Sequence, residues 1–318
     1  MPRSAARSVD ETTRKTREQH SNADRRGAGL RVGVVVLHYR FWPGIAETLN
    51  TLLAQTRSPD LVIVVDNHSG DGSASRLRTA FPQVEVIESE RNGGYAAGMN
   101  LGIEELQRRD ADAVLLLTHE CRLAPNALEA LVDRLEEAPS VAAVGPLLGF
   151  LNAPELVFSA GGQVEPKWGT RHRRRPSMMS GWVGAPPSRV ECLDGAALLL
   201  RMAAVRQAGK MDERYFMYFE ETEYLLKLQR LGWAVECVPR AVGWQEPSPK
   251  SPLMWDRNRL RFLARNASKA ALAREIARLV RDIARDLRSP AEDDRTLARA
   301  RAWGLLYFLT RRWGPVHA

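Results

Sequence analysis

The sequence predicts an α/β protein with a mostly parallel central sheet flanked by helices, and three observations predict it. Short aliphatic runs recur at residues 30–37 (LRVGVVVL), 61–65 (LVIVV), 84–87 and 113–117 (AVLLL), as strands covered on both faces do. Stretches with helical spacing separate them. Turn residues mark the junctions, so the chain reads as successive βαβ units.

Taken in order, the strand at 30–37 runs into HYRFWPG, and Ile45, Leu49, Leu52 and Leu53 space a helix over 45–54. The second strand ends at Asp66, and DNHSGDGS supplies a turn before a helix at 74–79. After the strand at 84–87 come the loop RNGGY and a helix at 96–106. The strand at 113–117 precedes a helix at 125–135. The rhythm breaks after Val144. Short strands are expected at 156–160 and 163–165, then a long loop at 166–187 containing RHRRRP. CLDGAALLLR (192–201) reads as a turn followed by a buried strand or a helix start, and 233–238 is a last strand. From Pro252 the chain is helical. Ile276, Leu279, Val280, Ile283 and Leu287 form an apolar stripe there, beside a basic one of Arg274, Arg278, Arg281 and Arg285.

The organisation that follows is a charged, disordered tail at 1–29, a main domain at 30–250 with halves 30–147 and 148–250, and a helical extension at 251–318. A net charge of +8 suggests a phosphate-bearing substrate, nucleic acid or an anionic membrane surface as partner, though solubility alone accounts for it too. Nucleic acid is disfavoured, because the basic residues are not interleaved with aromatics on a recognisable module. No run of about 18 apolar residues exists, and residues 1–29 lack the apolar stretch of a secretory signal. The three cysteines, 121, 192 and 237, are widely spaced and indicate neither disulfides nor a CxxC zinc site. A cytoplasmic location is expected, with peripheral contact to a membrane through the C-terminal helices and a homodimer both left open.

The chemistry concentrates in FMYFEETEYLLKLQRLG (216–232), where Glu220, Glu221 and Glu223 open a helix. Acidic residues favour a first turn, but three within four positions also raise one another's pKa, as a general base near neutral pH requires. Tyr215, Phe216, Tyr218 and Phe219 can wall such a pocket. In a parallel sheet, ligands bind beyond the carboxyl ends of the strands. His38-Tyr39-Arg40, Asp66-Asn67 and Thr118-His119-Glu120 sit there. Asp66 suits a base or ribose, and equally a turn. The glycines of RNGGYAAGMN permit close approach of a ligand. Neither G-x-G-x-x-G nor a P-loop is present, which excludes the usual dinucleotide dehydrogenases and P-loop NTPases.

HYR, VVDNHSGDGS, NGGYAAGMNLGI, DGAALLLR, MDERYFMYFEETEYLLKLQRLGW and WDRNRLRF occur here in one order and spacing. Together they resemble the family-2 glycosyltransferases, most closely the bacterial rhamnosyltransferase-like branch, over roughly residues 31–262. The resemblance implies a GT-A fold with a donor half (30–147) and an acceptor half (148–250). It also implies a dTDP-, UDP- or GDP-sugar donor, inversion at the anomeric carbon, and a saccharide, lipid-linked or small-molecule acceptor. By position, Tyr39 and Asp66 hold base and ribose. His38, Arg40, Asn67, Gly94, Asn100, Thr118 and His119 complete the donor pocket. Glu221 matches the base, with Glu220 and Glu223 beside it, while Asp194, Gly195, Asp212, Tyr218 and Trp244 fall on the acceptor side. Glu120 stands where the family's metal turn ends in Asp, and Gln245 near its usual His. These departures imply a divalent cation, Mg²⁺ or Mn²⁺, held weakly or dispensed with, and backed by Arg173, Arg174 and Arg175. The rival expectation is a catalytically impaired binding or scaffold protein.

Overall fold

The computed structural model of the protein describes residues 29–165, the backbone of 169–172, and residues 177–246 and 250–315. Its first half follows the aliphatic runs closely. β1 (Val32–His38), α1 (Trp42–Leu53), β2 (Leu61–Asp66), α2 (Ser73–Ala80), β3 (Glu85–Glu88), α3 (Gly94–Arg108) and β4 (Ala113–Thr118) alternate, with β1 parallel to both β2 and β4, and β2 parallel to β3. Alternate residues of β1 face opposite sides, so each side is covered by its own helix. Val32, Val34 and Val36 pack with Ile45, Leu49 and Leu52 of α1, whereas Val35 packs with Met99, Ile103 and Leu106 of α3.

The glycines of NGGYAAGMNLGI serve the chain's contact with itself. A Cβ at Gly98 would lie 2.2 Å from a Leu37 methyl, and one at Gly102 would lie 2.4 Å from Val35. Both glycines are one helical turn apart on the face of α3 that presses on β1.

The second half departs from the expected pattern. β5 (Cys121–Leu123), α4 (Ala127–Glu137), β6 (Val141–Phe150), β7 (Val157–Ser159), β8 (Gly162–Glu165), β9 (Gly169–His172), β10 (Ser188–Arg189), β11 (Ala197–Arg201), α5 (Met202–Ala208), α6 (Glu220–Arg230) and β12 (Ala234–Gln245) follow. The expected break after Val144 falls inside β6, which runs on through Gly145, Pro146 and Gly149 because β12 pairs with it along its length. β12 extends seven residues beyond the expected end at 238, past an irregularity between Val238 and Val242. The 192–201 segment resolves as a turn and then a strand, and β9 and β10 lie at the ends of the expected loop.

The main sheet runs β10-β12-β6-β11-β4-β1-β2-β3, with β5 on β12 and β7 on β6. Only β10 and β11 break the common direction along that path. Because β11 is antiparallel to β4, its amino end lies at the sheet edge where β1, β2, β4, β6 and β12 have their carboxyl ends. Asp194 to Ala196 are thereby delivered to the same edge as residues 38–40, 66–67, 118–120 and 245.

The extension consists of α7 (Pro252–Asn266), α8 (Lys269–Leu287) and α9 (Glu292–Leu309). Leu260, Leu279, Ile283 and Ala298 form its core, with Ile276 packed against it. The expected apolar stripe is split, since Val280 and Leu287 remain exposed. The basic stripe is partly neutralised: Arg278 pairs with Glu275 and Asp282, and Arg285 with Asp282 and Asp286.

Within a helix, Gly→Ala ordinarily stabilises by about 0.5–1 kcal/mol. At Gly102 the sign should reverse, because the added methyl would overlap Val35. Urea unfolding of Gly102→Ala is expected to show a loss of about 1–3 kcal/mol, with the m-value unchanged.

Candidate active site

The carboxyl edge opens into a cleft of about 900 Å³ between the two halves and the start of the extension. The first half lines it with Tyr39, Phe41, Asn67, Asn92, Thr118 and Glu120, and the second half and the start of the extension with Asp194, Met217, Tyr218, Glu220, Glu221, Lys250, Met254 and Trp255.

The loop that delivers the last two carboxyls has an unusual backbone. Asp212 caps a single 3-10 turn (Glu213–Tyr215), and then Phe216, Tyr218 and Phe219 all take left-handed conformations, with φ of 66°, 77° and 74°. Such conformations cost of order 1–3 kcal/mol each for non-glycine residues and persist only where the surroundings enforce them. One enforcing contact comes from α3, where the Tyr95 N–H donates to the Phe216 carbonyl at 2.7 Å. A Cβ at residue 94 would lie 2.0 Å from that oxygen, so only glycine fits there, and Gly94 itself has φ of 79°.

Glu220 and Glu221 then begin α6 facing inward. The Glu220 carboxyl is buried, and its Oε2 has no hydrogen-bond partner among the described residues. Burial, reinforced by Glu221, pushes its pKa well up and so favours the protonated form. Burial also raises Glu221, to about 7, with the Asp194 carboxyl adding to the shift and the Thr222 hydroxyl, 3.3 Å away, opposing it. The main cause in both is therefore desolvation, with a neighbouring carboxyl second: Glu221 for Glu220, and Asp194 for Glu221. Gly195 packs on Glu221, where a Cβ would meet its Cγ at 3.4 Å. The Tyr95 hydroxyl donates to the Gly195 carbonyl at 2.8 Å, so one tyrosine aligns both the glutamate loop and the Asp194-Gly195 turn.

Across the cleft, the Tyr39 N–H donates to His119 Nδ1 at 3.0 Å. That leaves the ring proton on Nε2, which points at Glu120 Oε2 at 3.1 Å. Burial and the neighbouring His38 lower the His119 pKa to about 4, so the ring is neutral. Burial raises Glu120 to about 7, with Asp194 again contributing. Asp194 is thus the charge common to Glu120 and Glu221.

Several residues expected to touch ligand are placed elsewhere. Asn100 does not line the cleft: its amide donates to the Met211 carbonyl and Glu213 and accepts from the Met211 N–H, bracing the chain that leads into the loop. Glu223 does not line the cleft: it is buried and pairs with Arg265. Asp212 is held by Arg214 and Arg261 below the ordinary carboxylate range. Trp244 donates to the Pro154 carbonyl. His38 is fully buried behind Leu37 and Tyr39, with neither ring nitrogen partnered among the described residues. Asp66 accepts from the Ser69 N–H and hydroxyl, and Arg40 donates to the Ser69 carbonyl, so both shape the turn beside the cleft. Asn67 does line it, and also ties the RNGGY loop through Asn92, Gly93 and Gly94. Tyr215 is core, whereas Phe216, Tyr218 and Phe219 reach the wall. Arg173, Arg174 and Arg175 lie outside the described residues.

Sequence reasoning missed Tyr95, Asn92, Lys250 and Trp255. Trp255 sits in WDRNRLRF, and its ring contacts Tyr218 and Phe219, with Lys250 Nζ 3.5 Å from the ring centroid.

Residues 33–189 match the profile of glycosyl transferase family 2. The chain carries a family 2 glycosyltransferase domain. This glycosyltransferase is 29% identical over 230 residues to N-acetylglucosaminyl-diphospho-decaprenol L-rhamnosyltransferase of Mycobacterium tuberculosis, covering 65% of this chain and 73% of that one. It is 31% identical over 206 residues to galactofuranosyltransferase GlfT1 of the same organism, covering 63% of this chain and 65% of that one. Among solved structures, it superposes on the mannosyltransferase PcManGT from Pyrobaculum calidifontis in complex with GDP-Man and Mn²⁺, with a TM-score of 0.57, 16% identity, and coverage of 89% and 88%. GalNAc-T7 with UDP, GalNAc and Mn²⁺ gives a TM-score of 0.58 at 14% identity, over 90% of this glycosyltransferase and 57% of that chain. The fold is GT-A-like.

A carboxyl whose pKa is raised in the folded state favours folding below its unfolded pKa, and that contribution is lost as pH rises through the folded value. For Glu120 the window runs from about 4.5 to about 7. Glu120→Gln in the ligand-free enzyme should therefore gain stability relative to wild type across that window, by about 1–3 kcal/mol in all. Chemical denaturation at pH 5 and pH 8 measures it, and a pH-independent difference would mean Glu120 titrates normally.

Proposed function

We propose that this glycosyltransferase moves a sugar from a nucleoside-diphosphate sugar to an acceptor hydroxyl with inversion, and that Glu221 is the base. The observation that carries the reading is a half-buried carboxyl that lines the cleft beside Glu220 and Asp194, pushed up to about 7 by loss of water. Glu221 removes the acceptor proton as the acceptor oxygen attacks the anomeric carbon. The new C–O bond forms on the face opposite the breaking bond to the diphosphate, which leaves with its electron pair. Tyr39, Asn67 and Asn92 receive the nucleoside, with Asp66 shaping the turn beneath. Glu220, whose buried Oε2 has no partner among the described residues, is placed to hydrogen-bond to sugar or acceptor.

The residues fit a divalent cation of a particular kind. Among the described residues no three His, Cys, Asp or Glu side chains gather as an ion cage. Glu120 faces the cleft with Asp194 near it, and one or two carboxylates plus substrate phosphates suffice for Mg²⁺ or Mn²⁺. Glu120 would hold such an ion, and the ion would offset negative charge on the departing diphosphate. A site of this make-up binds its ion weakly without the nucleotide.

The M. tuberculosis rhamnosyltransferase is named for a sugar carried on a polyprenyl diphosphate. We extend that acceptor class to this chain, with the Tyr218 and Trp255 wall of the cleft receiving the acceptor sugar and Lys250 near its phosphate. Trp303, Leu306 and Leu309 recur every third residue on the exposed side of α9, next to Arg311 and Arg312. An apolar-basic face of that kind suits an anionic lipid surface, and no described helix is long and apolar enough to cross a membrane.

The donor is found by thermal shift with dTDP-, UDP- and GDP-sugars, with and without Mn²⁺, since ligands that bind the native state raise the melting temperature. With that donor, Glu221→Gln should lower turnover by about 10²–10⁴-fold, while nucleoside-diphosphate affinity stays within about twofold. Unchanged turnover would remove Glu221 as base. Trp303→Ser with Leu309→Ser should abolish sedimentation with anionic vesicles and spare binding of the free nucleotide. Equal sedimentation of variant and wild type would move the lipid contact elsewhere.

A further inference from the structure

α7 carries a fully buried arginine, Arg257, whose bonds among the described residues go to backbone and amide oxygens and to no carboxylate. Arg257 Nη2 donates to the Tyr215 carbonyl at 3.0 Å, Nη1 to the Gly314 carbonyl at 2.8 Å, and Nε to Asn258 Oδ1 at 2.9 Å. Burial, with Arg261 adding repulsion, lowers its pKa to about 10. Burying an unpaired guanidinium is unfavourable, so the position calls for a reason beyond filling space.

The adjacent asparagine supplies one. By accepting from Arg257 Nε, Asn258 Oδ1 is turned away from the glutamate loop and Nδ2 toward it. Nδ2 then donates to the Tyr215 carbonyl at 2.7 Å and the Met217 carbonyl at 2.6 Å, with the Tyr218 carbonyl at 3.3 Å. These carbonyls belong to the stretch where Phe216, Tyr218 and Phe219 are left-handed. The loop supplies its own backbone donor only to the Tyr215 carbonyl, from the Met217 N–H at 2.8 Å, so among the described residues the Met217 and Tyr218 carbonyls depend on Asn258. The Tyr95 N–H takes the Phe216 carbonyl from the opposite side, so every carbonyl from 215 to 218 has a donor within 3.3 Å.

We propose that Asn258, oriented by Arg257, is a positioning residue for the transfer reaction. It locks the left-handed loop from which Glu220 and Glu221 project into the cleft. The helical extension is then part of the catalytic machinery. Its far end takes part as well, because Gly314 accepts from Arg257, its N–H donates to the Arg214 carbonyl, and the neighbouring Trp313 ring lies 4.5 Å from the Arg261 guanidinium. The inference rests on the reading of Glu221 as base.

Asn258→Asp keeps the shape of the side chain and removes both N–H donors. A base displaced by about 1 Å costs roughly 100-fold in rate. Turnover of the sugar nucleotide found by thermal shift should therefore fall about 100-fold, with UDP, dTDP or GDP affinity unchanged within about threefold. Hydrogen exchange should quicken at residues 215–221 and stay as in wild type in β1 and β2. If Asn258→Asp does not fold, Arg257→Lys is read in the same way, since lysine cannot serve all three of Arg257's acceptors. A folded variant with turnover within threefold of wild type, or one losing nucleotide affinity as much as turnover, overturns the proposal. Full activity of Asn258→Asp beside an inactive Glu221→Gln removes only the clamp. Full activity of Glu221→Gln removes the base assignment itself.

Discussion

The Tyr95 N–H meets the Phe216 carbonyl across a gap that exists because residue 94 has no side chain, and much of the site depends on that contact. It joins the start of α3, in the first half of the domain, to the loop before α6 in the second. The Tyr95 hydroxyl reaches on to Gly195, so the turn before β11 is aligned by the same side chain. Three segments far apart in the chain are thereby placed around one cleft: 94–95, 194–196 and 216–221. The antiparallel insertion of β11 allows the second of these to reach the carboxyl edge at all.

The electrostatics follow from that closure. Glu120, Asp194, Glu220 and Glu221 are drawn together where little water remains, and removal from water dominates the upward shifts of the three glutamates. A helix amino terminus by itself would favour charged carboxylates. Here burial prevails over it, which is the condition for a base working near neutral pH. The cleft thus gathers three glutamates whose hold on the proton is strengthened, a state that phosphate-bound cations would change.

Much of this was legible in the sequence because local rules coincide with tertiary ones in the first half. Uninterrupted valine and leucine runs became β1, β2 and β4, and residues just beyond them line the cleft. The second half was harder to read. Gly145, Pro146 and Gly149 sit in a strand that β12 pairs along its length, with β11 and β7 pairing parts of it, and no local pattern reports a partner ninety residues away. The site was mixed for a related reason. Asn100, Asp212 and Glu223 are polar residues in the right motifs, yet they brace the loop from behind. A buried strut and a ligand contact make the same demand on residue type, and only the fold separates them. Conversely, the glycines of RNGGYAAGMN suggested approach to a ligand, and at positions 94 and 98 what approaches is the protein itself.

The central claim is that Glu221 is a half-buried carboxyl poised near neutrality. Carbon-13 NMR of the glutamate-labelled ligand-free protein, compared with labelled Glu221→Gln, assigns the missing side-chain resonance and follows it with pH. A midpoint of about 7 is predicted. Titration of that resonance in the ordinary glutamate range, near 4.3, would contradict it.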